Sequence, residues 1–451
     1  MDRRCRGGVV AHRWGNASLA AGFHAILPKE AHGAGKVWRV AFFGLGLLTA
    51  DAARAEGRAD PAPALPVQVG EAQVNGVGSE AGFDLWQQGF RARALAQGIS
   101  AETFARAFQG VRYDPKVIDK DRHQSEFTKT IWAYLDSAAS DERIANGKAA
   151  LDRNRALLDR IEAAYGVDKE VVVAVWGLES AYGTFRGDFP LIGSIATLAY
   201  DGRRAAFFEE QLIAALKIIQ QGDVAPANMT GSWAGAMGHT QFIPTSYLAF
   251  AVDFTGDGKR DIWSDDPADA LASTAAYLAK SGWQKGQPWG IEVSLPPGFD
   301  YGGTGDRVTR LVVAWQALGV RTATGGSLPD HGPASVLLPA GAQGAAFLIF
   351  ANFHAIEQYN TADAYVIGVG HLSDRIKGGG PILAAWPRWD RALLIDERME
   401  LQRRLTGAGF DTGGVDGKIG PLTIAAVRDY QRSIGMVPDG YASLEVLTKL
   451  R

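Results

Sequence analysis

The residue in this chain best placed for chemistry is a lone carboxylate at the end of an apolar run. Glu179 follows Val171-Val172-Val173-Ala174-Val175-Trp176 and opens the segment Glu179-Ser180-Ala181-Tyr182-Gly183. Ionising a carboxyl group among apolar neighbours is costly, so its proton affinity rises. A carboxyl that is still protonated near neutral pH can give its proton to a leaving oxygen. Glu179 therefore reads as a general acid at the mouth of a helix. The plain alternative is a helix-end glutamate that meets only water, the commoner fate of such residues.

Two other segments could face it. Gly231-Ser232-Trp233-Ala234-Gly235-Ala236-Met237-Gly238-His239-Thr240-Gln241-Phe242-Ile243-Pro244 is rich in small residues. These let backbone approach a ligand closely, and Ser232 and Gln241 bring groups suited to sugar hydroxyls or acetamides. The segment could also be an ordinary glycine-rich turn; downstream of Glu179 it reads as the opposite wall of a cleft. Tyr359-Asn360-Thr361-Ala362-Asp363-Ala364-Tyr365 is expected at the start of a helix. Asn360 can donate and accept at once, which suits an acetamido sugar, and it is equally suited to an N-cap.

A fourth segment, Asp253-Phe254-Thr255-Gly256-Asp257-Gly258-Lys259, alternates oxygen-bearing side chains and places Gly258 sixth. That is how an EF-hand loop begins. The usual glutamate at the twelfth position is absent, because Ser264 stands there. An Asp-Gly surface turn accounts for the pattern equally well.

Composition narrows the field. The chain has 451 residues, enough for two or three domains, and at 47% hydrophobic and 21% charged it can bury a sizeable core. A net charge of -3 argues against general nucleic-acid binding through phosphate neutralisation. Cys5 is the single cysteine, so no intrachain disulfide or thiolate zinc cluster can form, and the eight histidines make no His-x3-His pair. Lys36 and Arg39, then the apolar run Val40–Leu48, then Ala53-Arg54-Ala55 follow the order of a secretory signal with cleavage after Ala55. The run is too short to span a bilayer, so no membrane span is expected after cleavage. Cys5 lies upstream of the apolar run and is no lipidation site in the mature chain. A periplasmic protein is the expectation.

These residues need elements to hold them. Residues 1–55 are read as an N-terminal extension and signal, and 56–82 as a flexible leader. From Phe83 the spacing of apolar residues is helical, with helices expected at Ser100, over Phe127–Leu135, over Arg143–Tyr165 and from an Asp168 N-cap to Glu179. Further helices are expected from Arg203 to about Gln221, over Ala268–Lys280 and over Ala345–Ile356. Short strands are expected at Gly290–Leu295 and Ser335–Leu338. Trp386-Pro387-Arg388-Trp389 reads as a linker. The tail has helices Met399–Leu405, Leu422–Ile434 and Ala442–Leu450 around two Asp-Gly turns, Asp416-Gly417 and Asp439-Gly440.

The combination of Glu-Ser-x-x-Gly, Gly-Ala-Met-Gly-x-x-Gln-Phe-x-Pro and Tyr-Asn-x-x-x-x-Tyr resembles the lytic murein transglycosylases of the B type, over roughly Gly82–Ala385. The resemblance implies a mainly α (α+β) fold: a lysozyme-like catalytic core over 83–385, with an added α domain and a small β insertion. It implies Glu179 as catalytic acid/base, and Ser232, Gln241, Tyr277, Tyr359 and Asn360 as substrate contacts. It also closes the acidic loop with a later aspartate, Asp269. A structural calcium ion would then be held by Asp253, Thr255, Asp257 and Asp269 with the Lys259 carbonyl, and catalysis would need no cofactor. Asp121–Phe127 is similar to a family segment in which proline usually replaces Ser125. The tail resembles the small peptidoglycan-binding domain of cell-wall enzymes, expected over 391–451 as a three-helix module. It rests on Leu401-Gln402, Asp416-Gly417-Lys418-Ile419-Gly420-Pro421-Leu422-Thr423 and Tyr430-Gln431.

Glycoside cleavage usually takes two carboxylates, and no second one is marked by a motif near Glu179; Asp188 and Glu209 are close only in sequence. A lone acid suffices if the C6 hydroxyl of N-acetylmuramic acid attacks its own anomeric carbon. The expected reaction is therefore non-hydrolytic cleavage of the MurNAc-β-1,4-GlcNAc bond of peptidoglycan strands, giving 1,6-anhydro ends. Its rivals are a hydrolytic muramidase and a non-catalytic wall-binding scaffold.

Overall fold

A computed structural model describes residues 78–122 and 129–451. The signal expected over 1–55, Cys5, the leader up to residue 77 and the segment His123–Phe127 lie outside the described residues.

The first helices are α1 (Glu80–Ala96), α2 (Ala101–Ala107), α3 (Pro115–Arg122), α4 (Ile131–Ala138), α5 (Asp141–Arg153) and α6 (Arg155–Tyr165). Next come α7 (Lys169–Ser180), β1 (Phe189–Pro190), α8 (Leu191–Asp201), α9 (Ala205–Gln221), β2 (Thr230–Gly231), α10 (Pro244–Phe250) and α11 (Ala268–Lys280). The β insertion and its surroundings hold β3 (Gly290–Ser294), α12 (Val312–Ala317), β4 (Arg321–Thr322), β5 (Ser335–Leu337) and β6 (Ala346–Ile349). The helices α13 (Ala351–Tyr359) and α14 (Asp363–Lys377) return to the core, and α15 (Ile395–Gly407), α16 (Pro421–Ser433) and α17 (Leu444–Leu450) build the tail.

The acid helix α7 is apolar all round, so it must be buried on every side; Val171 to Trp176 are all at most 5% exposed. It packs against α5, α11 and α14. One core gathers around α7, α11, α13 and α14, and a second around α1, α2, α8 and α9. Tyr359 touches both cores, so the last residue of α13 lies on their boundary.

Several expected elements differ in the structure. The expected helix over Arg143–Tyr165 is two, broken at Asn154, whose side chain donates to Ala150 O at 2.8 Å. The first part of Ala345–Ile356 is strand β6, not helix. It is buried throughout and lies between β3 and β5 in an antiparallel sheet of order β4-β3-β6-β5. A short apolar run does not say by itself whether it is strand or helix, and pairing decides. Asp168 stands at the N-cap of α7 as expected but does not cap it: its carboxylate accepts from Trp283 Nε1 at 2.9 Å and Gly286 N at 3.0 Å. Tyr359 and Asn360 close α13, and the segment they begin goes on to open α14 at Asp363.

In the tail each Asp-Gly turn is clamped by a glutamine. Gln402 accepts from Asp416 N and Gly417 N, and Gln431 accepts from Gly440 N and donates to Asp439 Oδ1. The module docks on the β insertion, where Asp439 Oδ2 accepts from Ala342 N at 2.8 Å. In the linker Arg388 grips Asp136 with two bonds of 2.7 and 2.8 Å. No helix among the described residues is long and apolar enough to cross a membrane.

Candidate active site

The C-terminus of α7 is bent sharply. Ala181 and Tyr182 have φ of +50° and +60°, and Gly183 has +86°. Two non-glycine residues in the left-handed region are costly and persist only where the surroundings impose them. Here Ser180 imposes them: its hydroxyl donates to His239 O at 2.5 Å and accepts from Gly183 N at 2.9 Å. The Tyr182 hydroxyl reaches back to Arg143 O at 2.7 Å. Gly177 leaves room for the Tyr182 ring, which a Cβ there would meet at 2.6 Å.

The glycine-rich segment packs backbone against backbone and is tied to the end of α7 through His239. A Cβ on Gly187 would lie 2.2 Å from the Gly231 carbonyl carbon, and one on Gly231 would lie 2.1 Å from Ala236 O. The His239 ring is held on both sides. Trp176 Nε1 donates to its Nδ1 at 3.1 Å, which puts the ring proton on Nε2, 2.8 Å from Ser264 O. Burial holds its proton affinity below the ordinary value, in keeping with a neutral ring.

The Glu179 carboxyl is reachable from solvent yet ringed by protein. Burial raises its pKa to about 8, while a hydrogen bond from the Tyr365 hydroxyl to Oε1, at 2.6 Å, pulls the other way. No acidic neighbour contributes to that rise. Glu209, one of the two nearby acids in sequence, is instead paired with Arg93, and Asp188 is exposed. With Oε1 accepting from Tyr365, the proton of the neutral acid sits on Oε2. The charge of Glu179 also acts on Tyr134 and Tyr359, so three phenols surround it.

The residues expected to contact substrate fall into two groups. Tyr359, Tyr277 and Tyr365 form an aromatic row, with ring centroids 4.8 Å apart for the first pair and 6.5 Å for Tyr359 and Tyr365. Tyr359 donates to Thr240 O at 2.5 Å, which ties the row to the residue before Gln241. Gln241 has φ of +54° and spends its amide nitrogen on Arg186 O and Gly238 O, leaving the amide oxygen to offer. Asn360 Oδ1 accepts from Ala362 N at 3.0 Å, and its buried Nδ2 has no partner. Ser232 is further along the wall, and its hydroxyl accepts from Ala236 N at 3.0 Å. Its first role is thus to close its own turn. Tyr365 and Tyr134 were not singled out from sequence. Tyr365 is the last letter of the Tyr-Asn motif, so a signal existed; for Tyr134 there was none.

In the acidic loop, one oxygen each of Asp253, Asp257 and Asp269 lie within 4.8 Å of one another. Backbone N–H groups hold them inward: Asp253 accepts from Gly256 N and Gly258 N, and Asp269 from Phe254 N, Thr255 N and Asp261 N. Such a converging hard-oxygen set fits calcium.

Comparison with known proteins follows the same lines. The family described as Transglycosylase SLT domain matches residues 82–374, and a peptidoglycan binding domain family matches 396–450. Membrane-bound lytic murein transglycosylase B of Escherichia coli K12 is 32% identical over 254 residues, covering 54% of this chain and 66% of its own length. The structure of SltB3 from Pseudomonas aeruginosa with NAG-anhNAM-pentapeptide superposes with a TM-score of 0.80 at 51% identity, covering 82% of this chain and 99% of that one. Escherichia coli Slt35 in complex with calcium gives a TM-score of 0.56 at 27% identity, covering 64% of this chain and 92% of that one.

Proposed function

The chain belongs to the SLT transglycosylase family and carries a C-terminal peptidoglycan-binding domain, and from that premise we propose that it is a peptidoglycan lytic transglycosylase. The observation that carries the reading is Glu179: an enclosed carboxyl with a pKa raised to about 8 by burial, and no acidic partner contributing to the rise. At neutral pH it is mostly protonated, as a general acid must be.

Glu179 gives the proton on Oε2 to the glycosidic oxygen between N-acetylmuramic acid and N-acetylglucosamine. The C1–O4 bond breaks and the N-acetylglucosamine O4 leaves as a hydroxyl. The C6 hydroxyl of the muramic sugar then bonds to C1 while the Glu179 carboxylate takes its proton. The acid is restored, no water is consumed, and the product is a 1,6-anhydro end. Tyr365 holds the carboxylate between the two transfers through its bond to Oε1. Tyr359, Tyr277, Gln241 and Asn360 hold the sugars, Gln241 with its amide oxygen; Ser232 helps shape the wall. A hydrolytic muramidase would need a second carboxylate to place water, and the electrostatics of Glu179 favour the single-acid route.

Asp253, Thr255, Asp257, Asp269 and the Lys259 carbonyl would hold a calcium ion that supplies rigidity to the loop and takes no part in proton transfer. The chain acts where peptidoglycan lies, outside the cytoplasmic membrane. Residues 36–55 fit an export signal that would place it in the periplasm, cleaved after Ala55.

Mass spectrometry of muropeptides released from purified sacculi tests the reaction. Anhydro products are one water lighter than hydrolytic ones, and finding only hydrated ends would overturn the proposal.

A further inference from the structure

A cavity of about 370 Å³ lies where three parts of the chain meet: the start of α4, the β insertion, and the C-terminal module. That volume is at the low end of small-ligand pockets. Its walls carry charges of both signs. Lys129, Arg398 and Arg428 supply cations, and Asp306, Asp363 and Asp439 supply acids.

These charges are not all spent on one another. Asp439 is committed to structure, accepting from Ala342 N, Gln431 Nε2 and Tyr441 N. The Nε of Arg428 is buried without a hydrogen-bond partner. A buried cationic donor without an acceptor is expensive, and a carboxylate would satisfy it. Asp363 also lines the cavity, and its pKa is raised to about 7, by desolvation first and then by Asp306 and Glu357. Asp306 spends Oδ2 on Arg307 Nε at 3.0 Å; an ammonium group would sit between its other oxygen and Asp363.

Two helices, α4 and α14, run from the cavity toward the site of proton transfer. Thr130 lines it and caps α4. Tyr134 is one turn further along the same face, within the field of Glu179. On α14, Asp363 begins the helix whose Tyr365 binds Glu179.

We propose that this junction cavity binds the stem peptide of the muramic sugar being cleaved, taking a free carboxylate at Arg428 and Arg398 and a free amine at Asp306 and Asp363. The C-terminal module then does more than tether the enzyme to the wall: it completes a substrate subsite with two arginines. This inference rests on the peptidoglycan reading above.

The test uses the full chain on two substrates: glycan strands with intact stem peptides, and the same strands stripped of peptide by an amidase. The readout is the ratio of kcat/KM on the two. In the wild type the peptide-bearing strand is preferred. In Arg428→Ala the ratio falls about tenfold through KM, as loss of a charge-assisted hydrogen bond predicts, and Arg428→Lys restores part of it. Asp306→Asn, on the opposite wall, lowers the same ratio and serves if Arg428→Ala does not fold. A ratio that neither Arg428→Ala nor Asp306→Asn changes overturns the inference while leaving the activity intact. A wild type that releases no anhydro product from either strand removes the functional reading and this inference together.

Discussion

The Tyr365 hydroxyl donates to Glu179 Oε1 at 2.6 Å. It is a donor aimed at the charged form of a group that burial keeps neutral, so the two influences oppose each other. Burial wins, because the pKa stands at about 8. The acid form starts the reaction, so kcat/KM is expected to fall as pH rises through about 8. Tyr365→Phe removes a donor that favours the carboxylate; that limb should move to higher pH, with a lower kcat. A pH–rate profile checks both, and a limb that moves to lower pH contradicts the assignment.

Glu179→Gln should cost roughly 100- to 10,000-fold in rate, since one group serves as both acid and base. It should also change stability with pH. A carboxyl whose folded pKa lies above its unfolded value binds more protons in the folded state, so the wild type loses stability as pH rises from the ordinary glutamate range to about 8. Glutamine carries no such dependence. The Tm advantage of the variant should therefore widen from pH 5 to 8 and level off above, as thermal melts across pH would record.

The glycine-rich segment depends on backbone contact that no side chain can share. A Cβ on Gly231 would lie 2.1 Å from Ala236 O, a backbone atom that cannot swing aside. Gly231→Ala should cost ~1–3 kcal/mol or more, and should impair turnover because Ser232 and Gln241 hang from the same loop. Denaturant melts and activity assays on the same preparation measure the two effects.

Calcium at a hundredfold excess over its Kd should stabilise the protein by about 2.7 kcal/mol, with Tm rising on addition and falling with a chelator. Asp253→Asn and Asp257→Asn should abolish the response while leaving Glu179 chemistry in place. A Tm indifferent to calcium in the stripped wild type would remove the ion from the description.

Much of this was readable before any fold was known. The Val171–Trp176 run had to be buried, so the acid at its end had to be hard to ionise. Glycines at 231, 235 and 238 announced close backbone approach, and the tail's Asp-Gly pairs announced turns. Ala346–Ile349 was misread because a short apolar run suits strand and helix alike, and only its pairing with β3 and β5 decides. Asp168 stood where a cap belongs, yet a tryptophan and a glycine N–H from elsewhere in the chain claimed its carboxylate.

Sequence alone marked the family and nominated the candidate acid and the segments proposed to face it, because these depend on local composition and spacing. Tertiary structure alone decided that Tyr365 binds Glu179 while Tyr134 lies in its field, that Ser232 first closes its own turn, and that two arginines of the C-terminal module line a cavity shared with the starts of α4 and α14. Those relations join residues far apart in the chain, and the long-range packing that creates them has no signature in neighbouring letters.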